Sequence, residues 1–136
     1  KILRVLIDQK FKRVNGNNDI SVDVRLICSS SKDLKKEIQI GNFREDLYHR
    51  LAVILIKVPA LKDRIEDIPL LINYFTKKIA LDQGVAQKEF LPEAIDLLKD
   101  YDWTGNIREL RNVVERLLIL GENKVSKNDV KLFASK

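Results

Sequence analysis

Apolar residues recur at helical spacing between Asn106 and Gly121. They fall at positions i, i+3, i+6, i+7, i+10 and i+11, and they are Ile107, Leu110, Val113, Val114, Leu117 and Leu118. This spacing places them on one face of an α-helix and leaves charged residues on the opposite face. The pattern predicts an amphipathic helix that packs on other helices and stops at Gly121, since glycine favours helix termination.

Signals for helix boundaries occur at further places in the second half of the chain. Each combines an apolar run with a side chain that can cap free backbone N–H groups, or with a proline suited to a first helical turn. One helix is predicted to start at Asp67 and Pro69 and to end before Gly84. A second is predicted to start at Pro92, and a last one at Ser126 with Asp129. The last pair has the spacing of a capping box. The second half is therefore predicted to be helical throughout.

Strand signals are confined to the first half of the chain. Apolar and polar residues largely alternate over residues 22–28, after a turn sequence at residues 15–18, and residues 53–58 form a mostly β-branched run. The first pattern predicts a strand, and the second predicts a strand buried on both faces. Apolar residues at helical spacing over residues 43–51 lie between them. The first half is therefore predicted to be α/β, with the last strands of a parallel sheet.

Composition narrows the class of protein. The 136 residues carry a net charge of +5, but lysines stand beside acids almost everywhere, which favours solvated faces over a nucleic-acid groove. A single cysteine, Cys28, and a single histidine, His49, leave no internal disulfide and no plausible zinc cluster. The longest nearly uncharged run, residues 51–56, is too short to span a bilayer. We therefore expect a cytoplasmic chain with no metal site and no membrane partner.

Residues 41–51 (Gly-Asn-Phe-Arg-Glu-Asp-Leu-Tyr-His-Arg-Leu) predict a short helix that carries Arg44 and Arg50. Six helical steps rotate by about 240°, so the two arginines leave the helix on different sides. A guanidinium is always charged and binds phosphate oxygens in pairs. One arginine can therefore reach a phosphate while the other ties the helix to a neighbour. The alternative is that both form surface salt bridges with Glu45 and Asp46.

These residues belong to four ordered blocks that resemble sigma-54-dependent transcriptional activators, the NtrC class of bacterial enhancer-binding proteins. Residues 41–51 resemble the arginine-finger segment of the family, and residues 24–27 resemble the strand that leads to sensor I. Residues 64–69 resemble the entry to the helical lid, and residues 103–110 resemble the sensor II helix. Residues 59–61 and 110–116 resemble NtrX-like response regulators in particular, and this resemblance implies a two-component system.

The resemblance also implies the fold and the role of the two arginines. Residues 1–60 would be the C-terminal portion of an AAA+ α/β ATPase subdomain, and residues 61–136 an all-helical lid subdomain. Arg44 and Arg50 would be arginine fingers in trans, which reach the nucleotide held by a neighbouring subunit. An arginine in that place stabilises the charge that develops on the γ-phosphoryl group.

Arg108 lies in the first turn of the helix that begins near Asn106, where free N–H groups and the helix dipole favour an anion. The alternative is a contact within the helix, such as Arg108 with Asn112 or Arg111 with Glu115. Resemblance to sensor II implies that Arg108 contacts a phosphate, with Asn106 and Ile107 beside the base or sugar. Trp103 is predicted to anchor the core of the lid.

Sensor I departs from the family pattern. The family has Ala-Thr-Asn after the strand, whereas this sequence has Ser29-Ser30-Ser31, which places Ser31 at the asparagine position. A serine hydroxyl is shorter than a carboxamide and cannot donate and accept in the same fixed plane. The departure puts efficient hydrolysis, or its coupling to movement, in question.

The sequence contains neither a Gly-x-x-x-x-Gly-Lys-Ser/Thr loop to cradle phosphates nor a strand ending in acidic residues to hold Mg²⁺. We therefore expect a fragment that is not an ATPase alone and holds no cofactor tightly, although the parent chain uses ATP and Mg²⁺. The resemblance implies self-assembly into a hexameric or heptameric ring. It also implies contact with the sigma-54 RNA polymerase holoenzyme through parts absent here, and binding to promoter-upstream DNA through a separate domain.

Two other functions stay open at this point. The chain can be a basic helical module that binds DNA or protein through Arg108, Arg111 and Arg116. It can also be a nucleotide-insensitive ring adaptor, with Ser31 marking lost hydrolysis. The arginine-finger segment favours the ATPase, because that segment has no evident purpose outside an ATPase interface.

Overall fold

A computed structural model describes residues 2–134 of the chain, which divides into two compact units, Lys1–Lys57 and Val58–Lys136. The elements of the first unit are α1 (Ile2–Asp8), β1 (Lys10–Lys12), β2 (Asp19–Ser21), α2 (Leu34–Gln39) and α3 (Glu45–Leu51). The second unit opens with two 3-10 helices, Leu61–Asp63 and Ile65–Asp67. It continues with α4 (Ile68–Gln83), β3 (Glu89–Phe90), α5 (Pro92–Lys99), α6 (Asn106–Leu120), β4 (Lys124–Val125) and α7 (Lys127–Phe133). Within residues 2–134, no helix has the length and apolar character needed to cross a bilayer.

The hydrophobic core of the second unit lies among its four α-helices. α4 packs on α6, and α5 packs on α7. The apolar stripe predicted for α6 is buried at every position except Ile107. Trp103 precedes α6 with only 3% of its surface exposed, and its Nε1 donates to the Leu98 carbonyl at 2.8 Å. The prediction that Trp103 anchors this core is confirmed.

α4 begins and ends where the sequence signals place its boundaries. Pro69 lies in the first turn, and Gly84 follows the last residue with a φ of +66°, a conformation that glycine adopts without steric cost. Asp67 occupies the N-cap position, but its carboxylate pairs with Arg64 and caps no backbone N–H group. The helix bounds are confirmed, whereas the capping role of the Asp67 side chain was wrong.

The second unit also contains a strand pair that the helical prediction missed. β3 and β4 run parallel, with Phe90 opposite Val125. The Nζ of Lys88, just before β3, donates to the Gly121 carbonyl at 2.5 Å. Strands this short leave almost no alternating pattern in a sequence, so they were not recognisable in it.

The capping box predicted at the start of α7 is confirmed. The backbone N–H of Asp129 donates to Ser126 Oγ at 3.3 Å, and the backbone N–H of Ser126 donates to Asp129 Oδ2 at 2.8 Å. The Ser126 hydroxyl also donates to Asp129 Oδ2 at 2.6 Å. The hydroxyl and the backbone N–H of Ser126 together lower the pKa of Asp129, because both bonds favour the ionised carboxylate.

We expect Asp129→Asn to lower the free energy of unfolding by about 1 kcal/mol at pH 7, since charge-assisted cap bonds are lost. The folded-state pKa is lowered, so this stabilisation exists above the ordinary carboxyl pKa and is lost as the pH falls through the folded value. The difference between the two proteins should therefore disappear in strong acid. Urea unfolding from pH 7 to pH 2 measures it. Asp96→Asn, at an exposed ion pair with Lys99, is the control, and an equal pH dependence there would contradict the assignment.

The first unit contains a hairpin and short helices. β1 and β2 pair antiparallel, with Phe11 opposite Ile20. Asn15 in the intervening turn has a φ of +62°, a conformation that asparagine tolerates better than most residues. The turn predicted at residues 15–18 is confirmed, and it joins two strands that precede residues 22–28.

The two strands predicted for the first half were wrong. Residues 22–28 are irregular after β2, and residues 53–58 form a turn that continues as irregular chain. The apolar side chains of the second segment are 72–84% exposed. A strand forms only when a neighbouring strand satisfies its backbone N–H and C=O groups, and within residues 2–134 neither segment has such a neighbour. The side-chain pattern was correct for a strand, but the pairing partner was missing.

Candidate functional site

The arginine-bearing helix α3 is joined tightly to α2. Gly41 leaves α2 with a φ of +78°, and the N–H groups of Asn42 and Phe43 both donate to the Glu37 carbonyl, at 2.8 and 3.2 Å. The Asn42 side-chain amide donates to Glu37 Oε2 at 3.1 Å. These bonds satisfy the end of one helix and set the start of the next. Arg44 therefore stands at a defined position, immediately before α3.

Arg44 forms a two-pronged ion pair with Asp46. Its Nε lies 3.0 Å from Oδ1 and its Nη2 lies 2.6 Å from Oδ2 of that carboxylate. The hydrogen bonds from Arg44 lower the pKa of Asp46, and the hydrogen bonds and charge of Asp46 raise the pKa of Arg44. The surface salt bridge considered from the sequence is thus formed at Arg44. To bind a phosphate, Arg44 would have to exchange one anionic partner for another.

Arg50 differs from Arg44 in its surroundings. It lies in the last turn of α3, is exposed, and forms no side-chain hydrogen bond or ion pair within the described part of the chain. The predicted salt-bridge alternative is therefore not realised at Arg50. An exposed guanidinium without a carboxylate partner is available to an external anion.

Ser31 lies in an exposed bend ahead of α2. The neighbouring Ser30 hydroxyl accepts from the Lys32 N–H at 3.1 Å, and Asp33 caps α2 by accepting from the N–H groups of Lys35 and Lys36. These bonds hold the backbone on either side of Ser31. Among the described residues the Ser31 hydroxyl has no hydrogen-bond partner, and it forms no contact that joins it to Arg44.

The start of α6 is a closely tied turn. Trp103 and Asn106 both have left-handed backbone conformations, with φ of +47° and +53°. The Asn106 N–H donates to the Trp103 carbonyl at 2.8 Å, and the Gly105 N–H donates to Glu109 Oε2 at 2.7 Å. A Cβ added to Gly105 would lie 2.7 Å from the Glu109 Cβ, which is too close for any residue but glycine. The turn thus fixes the direction in which α6 leaves Trp103.

Arg108 and Ile107 occupy the exposed side of this first turn. Ile107 is 40% exposed, and Arg108 has no side-chain hydrogen bond or ion pair within residues 2–134. Of the two contacts considered within the helix, the one between Arg111 and Glu115 is formed, at 3.5 Å, whereas the one between Arg108 and Asn112 is not. Asn106 is different, because its Oδ1 accepts from the backbone N–H of Leu61 at 2.9 Å.

The residues proposed from the sequence fall into two groups. The first group, Asn106, Ile107 and Arg108, shares one helical turn in the second unit. The second group lies in the first unit and consists of Ser31, Arg44 and Arg50. Sequence reasoning offered Asp46 as a salt-bridge partner but missed the partners Glu109 and Leu61. Nothing local in the sequence marked Leu61, because its 3-10 helix has only three residues and its acceptor lies 45 residues away.

The described residues offer no metal centre. Within them, no group of three or more histidine, cysteine, aspartate or glutamate side chains is arranged to hold a metal ion. The cationic groups at α3 and at the start of α6 instead suit anionic oxygens. Carboxylate and phosphate oxygens are the anions that a guanidinium binds in pairs.

Two family models match the chain. Residues 1–57 match the sigma-54 interaction domain, and residues 62–132, more than half of the chain, match the AAA+ ATPase lid domain. The matches fall on either side of the short segment that opens the second unit.

Individual relatives and solved structures are similar to this chain in agreement with the two family models. The transcriptional regulatory protein ZraR of Escherichia coli (strain K12) is 50% identical over 120 residues, which is 88% of this chain. The nitrogen assimilation regulatory protein NtrX of Azorhizobium caulinodans is 48% identical over the same share. The structure of NtrX from Brucella abortus in complex with ATP superposes with a TM-score of 0.86 at 46% identity, covering 94% of this chain and 31% of that one.

The similarity covers nearly all of this chain but only part of each relative. The chain spans 27% of the length of ZraR and 26% of the Azorhizobium protein. The structure of NtrX from Brucella abortus in complex with ADP superposes with a TM-score of 0.83, and the matched part is 27% of the Brucella chain. The chain belongs to the sigma-54-dependent transcriptional activators and is the C-terminal part of their AAA+ domain, with an α/β portion followed by the helical lid.

Proposed function

We propose that this chain supplies arginine fingers, sensors and lid to a ring ATPase that activates transcription by sigma-54 RNA polymerase. The observation that carries the proposal is Arg50, an exposed guanidinium with no anionic partner among residues 2–134, on the segment that resembles the family's fingers. We assign residues 1–60 to the α/β subdomain and residues 61–136 to the lid.

In this proposal the two arginines act on the nucleotide of a neighbouring subunit. Arg50 approaches the γ-phosphoryl group directly and stabilises the charge that develops there. Arg44 acts with it, after its bond to Asp46 is replaced by a bond to phosphate or to the adjacent subunit. Arg44 precedes the first turn of α3 and Arg50 lies in its last turn, so the two guanidinium groups lie toward opposite ends of the helix and suit contact with two surfaces.

The second unit would contact the nucleotide of its own subunit through the first turn of α6. Arg108 supplies a cation beside the free N–H groups of that turn, and Ile107 offers an exposed apolar surface to the base or sugar. Asn106 adjoins the same place. ATP with Mg²⁺ is the proposed ligand, and Ser31 takes the sensor I position. Within residues 2–134 no group of three or more histidine, cysteine, aspartate or glutamate side chains is arranged to hold a metal ion, so we place the Mg²⁺ ligands elsewhere in the complete activator.

The proposed partners follow from the family. They are further copies of the protein in a hexameric or heptameric ring, the sigma-54 holoenzyme, and promoter-upstream DNA through a separate domain, in the cytoplasm. The rival DNA-binding surface on α6 has less support, because Arg111 pairs with Glu115 and Arg116 donates to the Phe133 carbonyl at 2.9 Å. Two arginines of that surface are thus already engaged within the lid.

The test is ATP hydrolysis by the complete activator that carries this segment, measured per subunit over a wide protein concentration range. We expect turnover per subunit to rise cooperatively with concentration, because each nucleotide needs a neighbour's arginine. Turnover that does not change with concentration would contradict the ring mechanism. Ring assembly without turnover would instead support the adaptor function, with Ser31 as its cause.

A further inference from the structure

The bond between Asn106 and Leu61 joins two segments that are 45 residues apart. Leu61 is the first residue of a 3-10 helix, and the N–H of such a residue has no partner inside its own helix. Because the preceding Ala60 cannot cap it, the Asn106 carboxamide is the group that satisfies this donor. Asn106 therefore acts as a helix cap for a remote segment.

The residue type at position 106 meets two demands at once. The backbone there has a φ of +53°, which glycine and asparagine tolerate and most other residues resist. Glycine would satisfy the backbone but has no acceptor for Leu61. Aspartate keeps the acceptor and tolerates the conformation, although it adds a negative charge. These differences separate the two demands experimentally.

The remaining atoms of the Asn106 side chain are also directed within the protein. Its Nδ2 lies 3.4 Å from the Thr104 carbonyl, so both ends of the carboxamide face backbone groups. Leu61 itself is almost fully buried, with 1% of its surface exposed. The side chain thus ties the first turn of α6 to a residue that the core holds in place.

We propose that Asn106 is a positioning residue for Arg108: its carboxamide oxygen holds the start of α6 against Leu61 and thereby fixes where Arg108, two residues further on, presents its guanidinium. This inference rests on the proposed nucleotide contact of Arg108. It replaces direct contact with the base or sugar as the role of the Asn106 side chain.

The first arm of the test measures hydrogen exchange of the Leu61 amide in the complete activator without nucleotide. Asn106→Gly is expected to speed this exchange about fivefold, the factor that corresponds to a net hydrogen bond of about 1 kcal/mol. Asn106→Asp should remain within about twofold of the unmodified protein. Equal exchange in all three proteins would overturn the proposed tie.

The second arm measures ATP affinity of the same proteins by calorimetry. Positioning predicts that Asn106→Gly weakens ATP binding by about three- to tenfold, and that Asn106→Asp retains most of it. Direct contact with the base or sugar predicts instead that Asn106→Asp weakens ATP binding more than Asn106→Gly does, although it keeps the Leu61 bond, because a carboxylate lacks the amide donor and adds a negative charge at the nucleotide. An aspartate variant weaker than the glycine variant therefore overturns the proposal.

Arg108→Ala separates this inference from the function on which it rests. If Arg108→Ala leaves ATP affinity unchanged, the proposed nucleotide contact of Arg108 has failed, whatever Asn106 does to Leu61. If Arg108→Ala weakens binding while Asn106→Gly does not, the contact stands and the positioning role is overturned.

Discussion

Replacing Arg50 by alanine is expected to lower the kcat for ATP hydrolysis of the complete activator by at least about 10³-fold, the lower end of arginine-finger effects elsewhere. Arg50 is exposed and has no side-chain hydrogen bond or ion pair within residues 2–134, so the substitution removes no polar interaction of the first unit. The loss should appear in kcat with little change in nucleotide affinity, because the neighbouring subunit supplies the finger. Steady-state hydrolysis together with calorimetric ATP binding measures both quantities.

Two comparisons make this result specific to the finger. Lys36→Ala removes another exposed cation of the first unit and should leave kcat unchanged. Mixing Arg50→Ala subunits with Arg108→Ala subunits should restore part of the activity, since intact fingers then face intact nucleotide sites across some subunit contacts. Failure of the mixture to regain activity would mean that Arg50 acts within its own subunit.

Trp103→Ala is expected to produce the largest loss of stability, about 3–5 kcal/mol for the second unit. The substitution removes a buried indole that stacks on Tyr101 with 5.6 Å between ring centroids, and it leaves the Leu98 carbonyl without its donor. A loss of this size is a large fraction of the stability of a small domain. Urea unfolding followed by circular dichroism at pH 7 measures it.

Tyr74→Ala is the matched control for Trp103→Ala, because it removes an aromatic ring from an exposed position on α4. We expect it to change the free energy of unfolding by less than about 1 kcal/mol. Equal losses in the two variants would show that the second unit is not organised around Trp103. The comparison also separates burial from aromatic content.

The parts of the fold that sequence predicted well depend on local periodicity. The stripe of α6 is buried from Leu110 onward, because each residue's face is set by its position in the helix. Ile107 has the correct spacing but lies in the first turn and remains partly exposed. Periodicity specifies the direction of a side chain, whereas burial also requires a neighbouring element at that level of the helix.

The parts that sequence predicted poorly depend on partners distant along the chain. Residues 53–58 have the composition of a buried strand, yet within residues 2–134 no strand pairs with them. The link from Asn106 to Leu61 spans 45 residues and has no periodic signature. The salt bridge of Asp46 is a further example of a contact that the sequence did not specify fully. Its closeness to both arginines along the chain made a salt bridge foreseeable, but the geometry at the start of α3 decided that Arg44 forms it.

Trp103 gives the protein a fluorescent probe in the core of the lid. It is the only tryptophan in the sequence, so all ultraviolet emission excited at the indole band comes from one side chain. That side chain is shielded from water and lies five residues before Arg108, in the turn that sets the direction of α6. Its emission wavelength and quenching by iodide will therefore follow the opening or unfolding of the lid in this chain without any added dye.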